Sequence, residues 1–251
     1  MISFVGAGPG DPEMITLKGC RLLQEADLVI YTGSLINPEI LKYAGEKARL
    51  VNSASLDLSG IMKLILEAYQ RGEKVVRLHT GDASIYGAIG EQIAELEEKG
   101  VPYRVVPGIS SFLAAAASLK KEYTVPRQSQ TVIVTRMEGR TPVPGKESLA
   151  SLASHGASMA IFLSAGMVER VREELLQGYS PETPVAVVYK VSWPEEKVLR
   201  GVLKDLDRIT IEAGITKTAL ILVGDFLQET GRSSLYDGKF SHGYRAGNNE
   251  T

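Results

Sequence analysis

Three short stretches combine glycine with proline, hydroxyl or acidic residues in a pattern that suits ligand binding. Residues 6–12 (GAGPGDP, the opening loop) and 79–87 (HTGDASIYG) each follow a predicted strand, and 105–111 (VVPGISS) contains a Pro-Gly turn before two serines. Glycine lets a ligand approach the backbone, and open α/β sheets bind ligands at the carboxyl ends of their strands. We therefore expect a binding site made largely of backbone. For residues 79–87 alone, Asp82 acting only as a helix cap is the alternative.

A fourth stretch, residues 135–144, places Arg136 and Arg140 in a loop rich in glycine and proline. A guanidinium pairs with a carboxylate through two parallel hydrogen bonds, so this loop suits a ligand that bears carboxylates. A solvated surface loop is the alternative. The sequence has no G-x-S-x-G elbow, and Cys20 has no catalytic context, so covalent nucleophilic catalysis is not indicated.

The opening loop departs from the fingerprint of a dinucleotide-binding fold. The pattern G-x-G-x-x-G needs a small residue where Asp11 stands, and the second predicted strand ends without the acid that would bind a ribose. Pro9 and Pro12 also remove backbone donors that a pyrophosphate would use. The pattern argues against NAD or FAD, and a purely structural turn remains as an alternative.

Strands that alternate with helices must position these loops. In the first half, apolar runs predict strands at 2–8, 27–33, 48–54, 74–82 and 101–110. Amphipathic spacing predicts four helices, over 15–26, 58–72, 88–100 and 110–119. Thr16 is the predicted cap of the first, Gly72 and Gly100 end the second and third, and the fourth is rich in alanine. This alternation implies a parallel sheet of right-handed βαβ units.

A second α/β set follows. Its predicted strands are 131–136, 159–165, 184–191, 197–203 and 219–225, and its predicted helices are 147–154, 167–177 and 205–213. From about residue 229 the sequence loses periodicity, which predicts an extended, partly mobile tail. We predict an N-terminal α/β domain over 1–118, a C-terminal α/β domain over 119–230 and a tail over 231–251.

Composition limits the class of protein further. The 251 residues carry 28 Lys and Arg against 30 Asp and Glu, a balance that disfavours nucleic acid as the main partner. One cysteine and three histidines predict no metal site, and Cys20 is expected to be buried. The start lacks a signal-like pattern and no apolar run approaches roughly 18 residues, so we expect a cytosolic protein without a membrane partner.

Taken together, in this order and spacing, the blocks resemble the tetrapyrrole methylases, which methylate uroporphyrinogen, precorrins and, in more distant members, diphthine and ribosomal RNA. The resemblance runs from residue 1 to about residue 245. GAGPGDPEMITLKG resembles the family's opening loop, HTGDASIYG its GDP-type loop and VVPGISSF its PGxSS loop. Ala83 departs from the pattern, because the family often has proline there.

Four further blocks are similar to the branch of the family that methylates C11 of precorrin-4 or cobalt-precorrin-4. They are YTGSLI (31–36), TRMEGRTPVP (135–144), VVYKVSWPEEKVLRG (187–201) and SLYDGKFSHGYR (234–245). The EGRTPVP block favours the substrate that contains cobalt. The alternatives are a precorrin methylase acting at C17 or C20, the uroporphyrinogen-III methyltransferase, an rRNA or diphthine methylase, and a non-catalytic tetrapyrrole carrier.

The resemblance implies two α/β domains of the tetrapyrrole methylase type, a homodimer, and S-adenosyl-L-methionine in a cleft between the domains, leaving as S-adenosyl-L-homocysteine. The implied cofactor contacts are Pro9, Gly81, Asp82, Ala83, Ile85, Ser110, Ser111, Leu163, Tyr189, Lys190, Val191 and Ala219. Because the tetrapyrrole carries many carboxylates, the predicted substrate-binding residues are Arg136, Arg140, Lys120, Arg127 and Arg245, with Tyr244 beside the last. Asp11 is predicted to orient the macrocycle, and no general base stands out.

Overall fold

The computed structural model describes residues 1–228 and 233–246 and contains two compact units. The first comprises Met1–Ala115 with the segment Lys190–Glu196, and the second comprises Ala116–Tyr189 with the described residues from Lys197 onward. No helix in the described part of the chain is long and apolar enough to cross a membrane. The domain boundaries after residues 118 and 230 stay predictions.

The first unit is built on a parallel sheet of five strands in the order β3-β2-β4-β1-β5. The strands are β1 (Ile2–Gly6), β2 (Leu28–Tyr31), β3 (Arg49–Asn52), β4 (Val75–His79) and β5 (Tyr103–Val106), as predicted. Every residue of β1 and β4 is buried, as central strands covered on both faces require. Because β4, β1 and β5 are parallel neighbours, the loops that follow them lie side by side at the carboxyl end of the sheet.

Helices α1 (Leu17–Gln24), α2 (Leu58–Gln70), α3 (Gly90–Glu98) and α4 (Ser111–Leu119) lie near the predicted positions. The Thr16 hydroxyl accepts a hydrogen bond from the Gly19 N–H and caps α1, as predicted. One face of the sheet packs apolar side chains of α2 and α3, including Ile65 and Leu96. The other face packs Leu23 of α1. Cys20, on the same helix, is half-buried rather than buried.

The second unit contains a mixed sheet of five strands in the order β6-β7-β10-β8-β9. Its elements, again near the predicted positions, are β6 (Val132–Arg136), α5 (Leu149–Ala153), β7 (Ser158–Phe162), α6 (Val168–Leu175), β8 (Pro184–Tyr189), β9 (Lys197–Val202), α7 (Leu206–Glu212) and β10 (Ala219–Val223). Within this sheet β6 and β7 pair in parallel, whereas the pairs β7–β10, β10–β8 and β8–β9 are antiparallel. Met159, Ile161 and Val171 belong to its buried core. Both units are therefore α/β, which confirms the predicted fold class.

Candidate active site

The loops after β1, β4 and β5 contact one another backbone to backbone. Gly8 and Gly81 exchange N–H···O hydrogen bonds of 3.2 and 2.9 Å. A Cβ added to Gly6 would lie 2.6 Å from both the Gly108 nitrogen and the Gly81 oxygen, so no side chain fits there. Three segments far apart in sequence thus meet at a point where only glycine is small enough.

The carboxylate of Asp82 joins two of these loops. One of its oxygens accepts the Gly108 N–H at 2.7 Å, and the other accepts the N–H and hydroxyl of Ser84. Burial alone would raise the pKa of Asp82, but the bonds from Ser84 and from the Gly108 N–H outweigh it and lower the pKa. Asp82 is therefore ionised at neutral pH. Its carboxylate holds the two loops together and does not cap α3, which begins at Gly90.

The opening loop also contacts the segment Lys190–Glu196, which lies within the first unit. The Trp193 indole N–H donates to the Pro9 carbonyl at 3.2 Å, and the Asp11 N–H donates to the Ser192 hydroxyl at 2.9 Å. The preceding Lys190 and Val191 were predicted as cofactor contacts, whereas Ser192 and Trp193 were not. The only available signal was their place within the block VVYKVSWPEEKVLRG.

Most of the predicted cofactor contacts lie on these loops. An added Cβ at Gly81 would lie 3.6 Å from the Cα of Ser110, which places the loops after β4 and β5 in contact. The Ser110 carbonyl accepts hydrogen bonds from the first turn of α4. The first unit therefore brings together Pro9, Gly81, Asp82, Ala83, Ile85, Ser110, Ser111, Lys190 and Val191. Their role in binding a cofactor stays a prediction.

The other three predicted cofactor contacts share one edge of the second sheet. Ala219, at the start of β10, pairs with Tyr189 at the end of β8. Leu163 follows β7, which runs antiparallel to β10, and so lies at the same edge. Leu163 has a left-handed backbone (φ +54°), a conformation that is costly for a leucine. Its side chain is also 63% exposed, which is costly without a partner to cover it.

Two of the predicted substrate-binding arginines bind backbone carbonyls of their own segments. Arg136 donates to the carbonyls of Met137, Thr141 and Pro142, at 3.3, 3.1 and 2.8 Å. Arg245 donates at 2.7 to 3.3 Å to three carbonyls of the tail, those of Leu235, Asp237 and Phe240. Both guanidinium groups stabilise local structure, so a carboxylate ligand would have to share them.

The remaining predicted substrate residues differ in exposure and contacts. Lys120, Arg127 and Arg140 are exposed, and the first two have left-handed backbones, with φ of +56° and +67°. Asp11 accepts the Glu13 N–H at 2.9 Å and so caps a short 3-10 turn. Tyr244 is fully exposed. Substrate contact by these residues stays a prediction.

A buried basic pair lies in β4 beneath the loops. His79 is 2% exposed, and its Nε2 atom has no hydrogen-bond partner in the part of the chain that the structure describes. Burial, helped by the charge of Arg77, lowers the pKa of His79 to about 3, so its ring is neutral at neutral pH. Burial also lowers the pKa of Arg77 to about 10, which leaves it charged. Neither residue is placed to exchange a proton with a bound substrate.

The site contains no evident metal ligands. Within residues 1–228 and 233–246, no three His, Cys, Asp or Glu side chains gather in a way that could hold a metal ion. What the site offers a ligand is backbone N–H and C=O groups, serine hydroxyls and apolar surface. Such a site can bind and orient a molecule that carries its own reactive group.

Two α/β units, one with a glycine-rich backbone site, are the architecture of a methylase family. The model of the Tetrapyrrole (Corrin/Porphyrin) Methylases matches residues 1–207, and the chain belongs to this family. The resemblance inferred from the loops after β1, β4 and β5 is thereby confirmed.

Individual relatives show to which members of the family this chain is similar. A cobalt-precorrin-4 C(11)-methyltransferase of Methanocaldococcus jannaschii is 53% identical over 247 residues, covering 97% of this chain and 95% of the relative. A precorrin-4 C(11)-methyltransferase of Pseudomonas aeruginosa is 45% identical, covering 98% of this chain and 99% of the relative.

Solved structures of methyltransferases also match this chain. The X-ray structure of a cobalt precorrin-4 methyltransferase, described as a cobalamin biosynthetic enzyme, matches with a TM-score of 0.89 and 44% identity, covering 91% of this chain and 96% of that chain. The uroporphyrin-III C-methyl transferase of Thermus thermophilus, complexed with S-adenosyl homocysteine, matches with a TM-score of 0.75 and 28% identity, covering 90% and 93%.

Proposed function

We propose that this chain methylates C11 of cobalt-precorrin-4, or of precorrin-4, to give the corresponding precorrin-5 in cobalamin biosynthesis. The observation that carries the proposal is the 53% identity to a cobalt-precorrin-4 C(11)-methyltransferase over 97% of the chain. The match extends over 247 residues, and so over most of both units.

The methyl donor in this proposal is S-adenosyl-L-methionine, held in the first unit by the loops after β1, β4 and β5. A related methyltransferase is complexed with S-adenosyl homocysteine, the product such a donor leaves. The residues present fit the group, because an amino acid, a ribose and an adenine need both donors and acceptors. The loops, which are partly buried, supply backbone groups of both kinds and the Ser110 and Ser111 hydroxyls. When bound, the donor supplies a methyl group on a sulfonium, which is its own activated leaving group.

The chain's contribution to catalysis is then positioning. The glycine contacts and the Asp82 carboxylate fix three loops relative to one another, so the groups they present are oriented before a ligand arrives. Correct orientation alone can supply up to roughly 7–11 kcal/mol of a barrier in ideal cases. No general base is assigned, since His79 is buried and neutral.

For the tetrapyrrole, we propose that exposed cations bind its carboxylates. Arg140, Lys120 and Arg127 are exposed, so they can reorient toward a ligand at little cost. Arg136 and Arg245 would contribute only by sharing hydrogens that now bind carbonyls. Asp11, whose carboxylate caps a turn, would orient the macrocycle through the loop that it stabilises.

Parallel assays with cobalt-precorrin-4 and precorrin-4 test the proposal, scored by mass and by the position of the new methyl group. We expect one added methyl at C11 and faster turnover of the cobalt substrate. Methylation at C17 or C20, or of uroporphyrinogen-III alone, would overturn the assignment. A homodimer is also proposed, and light scattering that gives a single 27.1 kDa chain would contradict it. A cytosolic location stays a prediction.

A further inference from the structure

The Trp193 indole occupies the space where a side chain at residue 10 would lie. A Cβ added to Gly10 would be 2.4 Å from the indole nitrogen and 2.9 Å from the Val191 carbonyl. The same indole N–H donates to the Pro9 carbonyl. The glycine at position 10 is therefore required by Trp193, and the indole fixes the path of the opening loop.

Ser192 binds the next residue of the loop, Asp11, and has an unusual backbone conformation itself. Its hydroxyl accepts the Asp11 N–H, and its own N–H donates to Glu196 Oε2 at 2.6 Å. Ser192 and Lys190 both have left-handed backbones, with φ of +63° and +45°. Such conformations are costly for residues other than glycine and persist only where surrounding contacts impose them.

The segment Lys190–Glu196 also stabilises its own shape. The Lys190 ammonium lies 4.9 Å from the centre of the Trp193 ring and 3.6 Å from Glu195 Oε2. A cation over an indole face restricts the orientation of the ring. The indole that contacts the opening loop is therefore held by its own segment.

These contacts leave one backbone donor of the opening loop for a ligand. The Gly10 carbonyl accepts from the buried Asn37 side chain at 2.9 Å, and the N–H groups of Ala7 and Gly8 bond to β4 and its loop. Residues 9 and 12 are prolines and have no N–H. In the described part of the chain, the Gly10 N–H alone among residues 7–12 has no protein acceptor.

We propose that Ser192 and Trp193 are positioning residues that aim the Gly10 N–H at a carboxylate of a bound ligand. This inference rests on the proposed function, which supplies two ligands with carboxylates, the methyl donor and the tetrapyrrole. A single amide N–H directed at an anion forms a charge-assisted hydrogen bond, whose strength depends on the direction of the donor. Ser192 and Trp193 set that direction from either side of Gly10.

The test uses Ser192→Gly and Trp193→Phe in the full chain. Ser192→Gly removes the acceptor of the Asp11 N–H without strain at a left-handed position, and Trp193→Phe keeps an aromatic ring but removes the donor to Pro9. Asp57→Gly is the matched control, because it also removes a side-chain acceptor of a backbone N–H, that of Gly60, in the first unit but outside the three loops. Circular dichroism shows that each variant is folded.

Two binding measurements distinguish the source of the carboxylate. Calorimetry with S-adenosyl-L-homocysteine reports on the donor site, and KM for the tetrapyrrole at saturating donor reports on the substrate site. We expect both test variants to weaken one of the two by about fivefold or more, the equivalent of one hydrogen bond, with kcat changed less. Asp57→Gly should leave both unchanged. Because Trp193 is the single tryptophan, its fluorescence should change when that same ligand binds to the wild type.

Each outcome decides the inference. Unchanged S-adenosyl-L-homocysteine affinity and unchanged KM in both test variants would overturn it, as would an equal loss in Asp57→Gly. If the wild type binds S-adenosyl-L-homocysteine but methylates neither cobalt-precorrin-4 nor precorrin-4, the proposed function fails. The inference then stands or falls on the calorimetry alone. If the wild type methylates C11 and the variants behave like it, only the inference fails.

Discussion

Removal of the Asp82 carboxylate should loosen the contact between the loops after β4 and β5, although Asp82 itself is only half-buried. In Asp82→Ala, the Gly108 N–H loses an acceptor at 2.7 Å, and Ser84 loses the acceptor of both its N–H and its hydroxyl. Hydrogen bonds to a charged group contribute about 1.5–3 kcal/mol each when shielded and less where solvent competes. Because Asp82 is half-exposed, we expect a total loss of about 1–2 kcal/mol.

Two assays measure this effect. Thermal unfolding should show a Tm lower by roughly 2–4 °C for each kcal/mol lost. The Kd for S-adenosyl-L-homocysteine should rise by about fivefold or more, because part of the binding energy then goes into ordering the loops. Since the folded-state pKa of Asp82 is lowered, its contribution to stability is complete above pH 3.8, the ordinary pKa of an aspartate, and is lost as the pH falls further.

Asp57→Ala is the matched control for this prediction. Asp57 is an aspartate of the same unit, it accepts the Gly60 N–H at 2.8 Å, and it caps α2 away from the loops. Its removal should cost about 1 kcal/mol of stability without changing the affinity for S-adenosyl-L-homocysteine. If Asp82→Ala loses no more affinity than Asp57→Ala, the idea that Asp82 preorganises the site is wrong.

Three further predictions follow from other contacts. Gly10→Ala should abolish binding of S-adenosyl-L-homocysteine or of the tetrapyrrole in calorimetry, because the new Cβ overlaps the indole, and the added change Trp193→Ala should restore part of it. Burial lowers the pKa of His79 to about 3 in the folded protein, against 6.5 for a free histidine, so between these values the unfolded chain binds more protons than the folded one. Stability should therefore fall by about 1 kcal/mol for each unit by which the pH is lowered between these limits. His79→Leu should flatten that slope in denaturant titrations, and an unchanged slope would show that His79 is not its source. Arg140→Ala should raise the tetrapyrrole KM, whereas Arg136→Ala should mainly lower Tm, and unchanged substrate affinity in both would refute binding by this loop.

Local features of the chain were predictable because their signals are local. Thr16 precedes an amphipathic run and caps α1, and Gly72 and Gly100 follow the helices that they end, both with left-handed backbones. The parallel first sheet followed from strands alternating with helices. These inferences need only neighbouring residues and the periodicity of side chains.

Contacts across long sequence separations were not predictable in this way. Trp193 lies 184 residues from the Pro9 carbonyl to which it donates, and no pattern in one sequence links the two. Arg136 was predicted as a ligand-binding residue from its type and its loop. Its hydrogen bonds to the carbonyls of residues 137, 141 and 142 depend on how that loop folds back, which residue type does not reveal.

The glycines of the candidate site have a different cause from the one that their sequence pattern indicates. Close approach of a ligand was the expected reason, yet Gly6 and Gly108 have no room for a Cβ because other backbone lies there, and Gly10 has none because of Trp193. Protein packing alone therefore requires these glycines. A ligand does not need to touch them for a substitution to destroy its site, so loss of activity in a glycine variant is weak evidence for contact. The Gly10 N–H is the exception, since the structure leaves it without a protein acceptor among the described residues. For that reason, Ser192→Gly and Trp193→Phe, which change the direction of that N–H but not residue 10, are the sharper test of where a ligand binds.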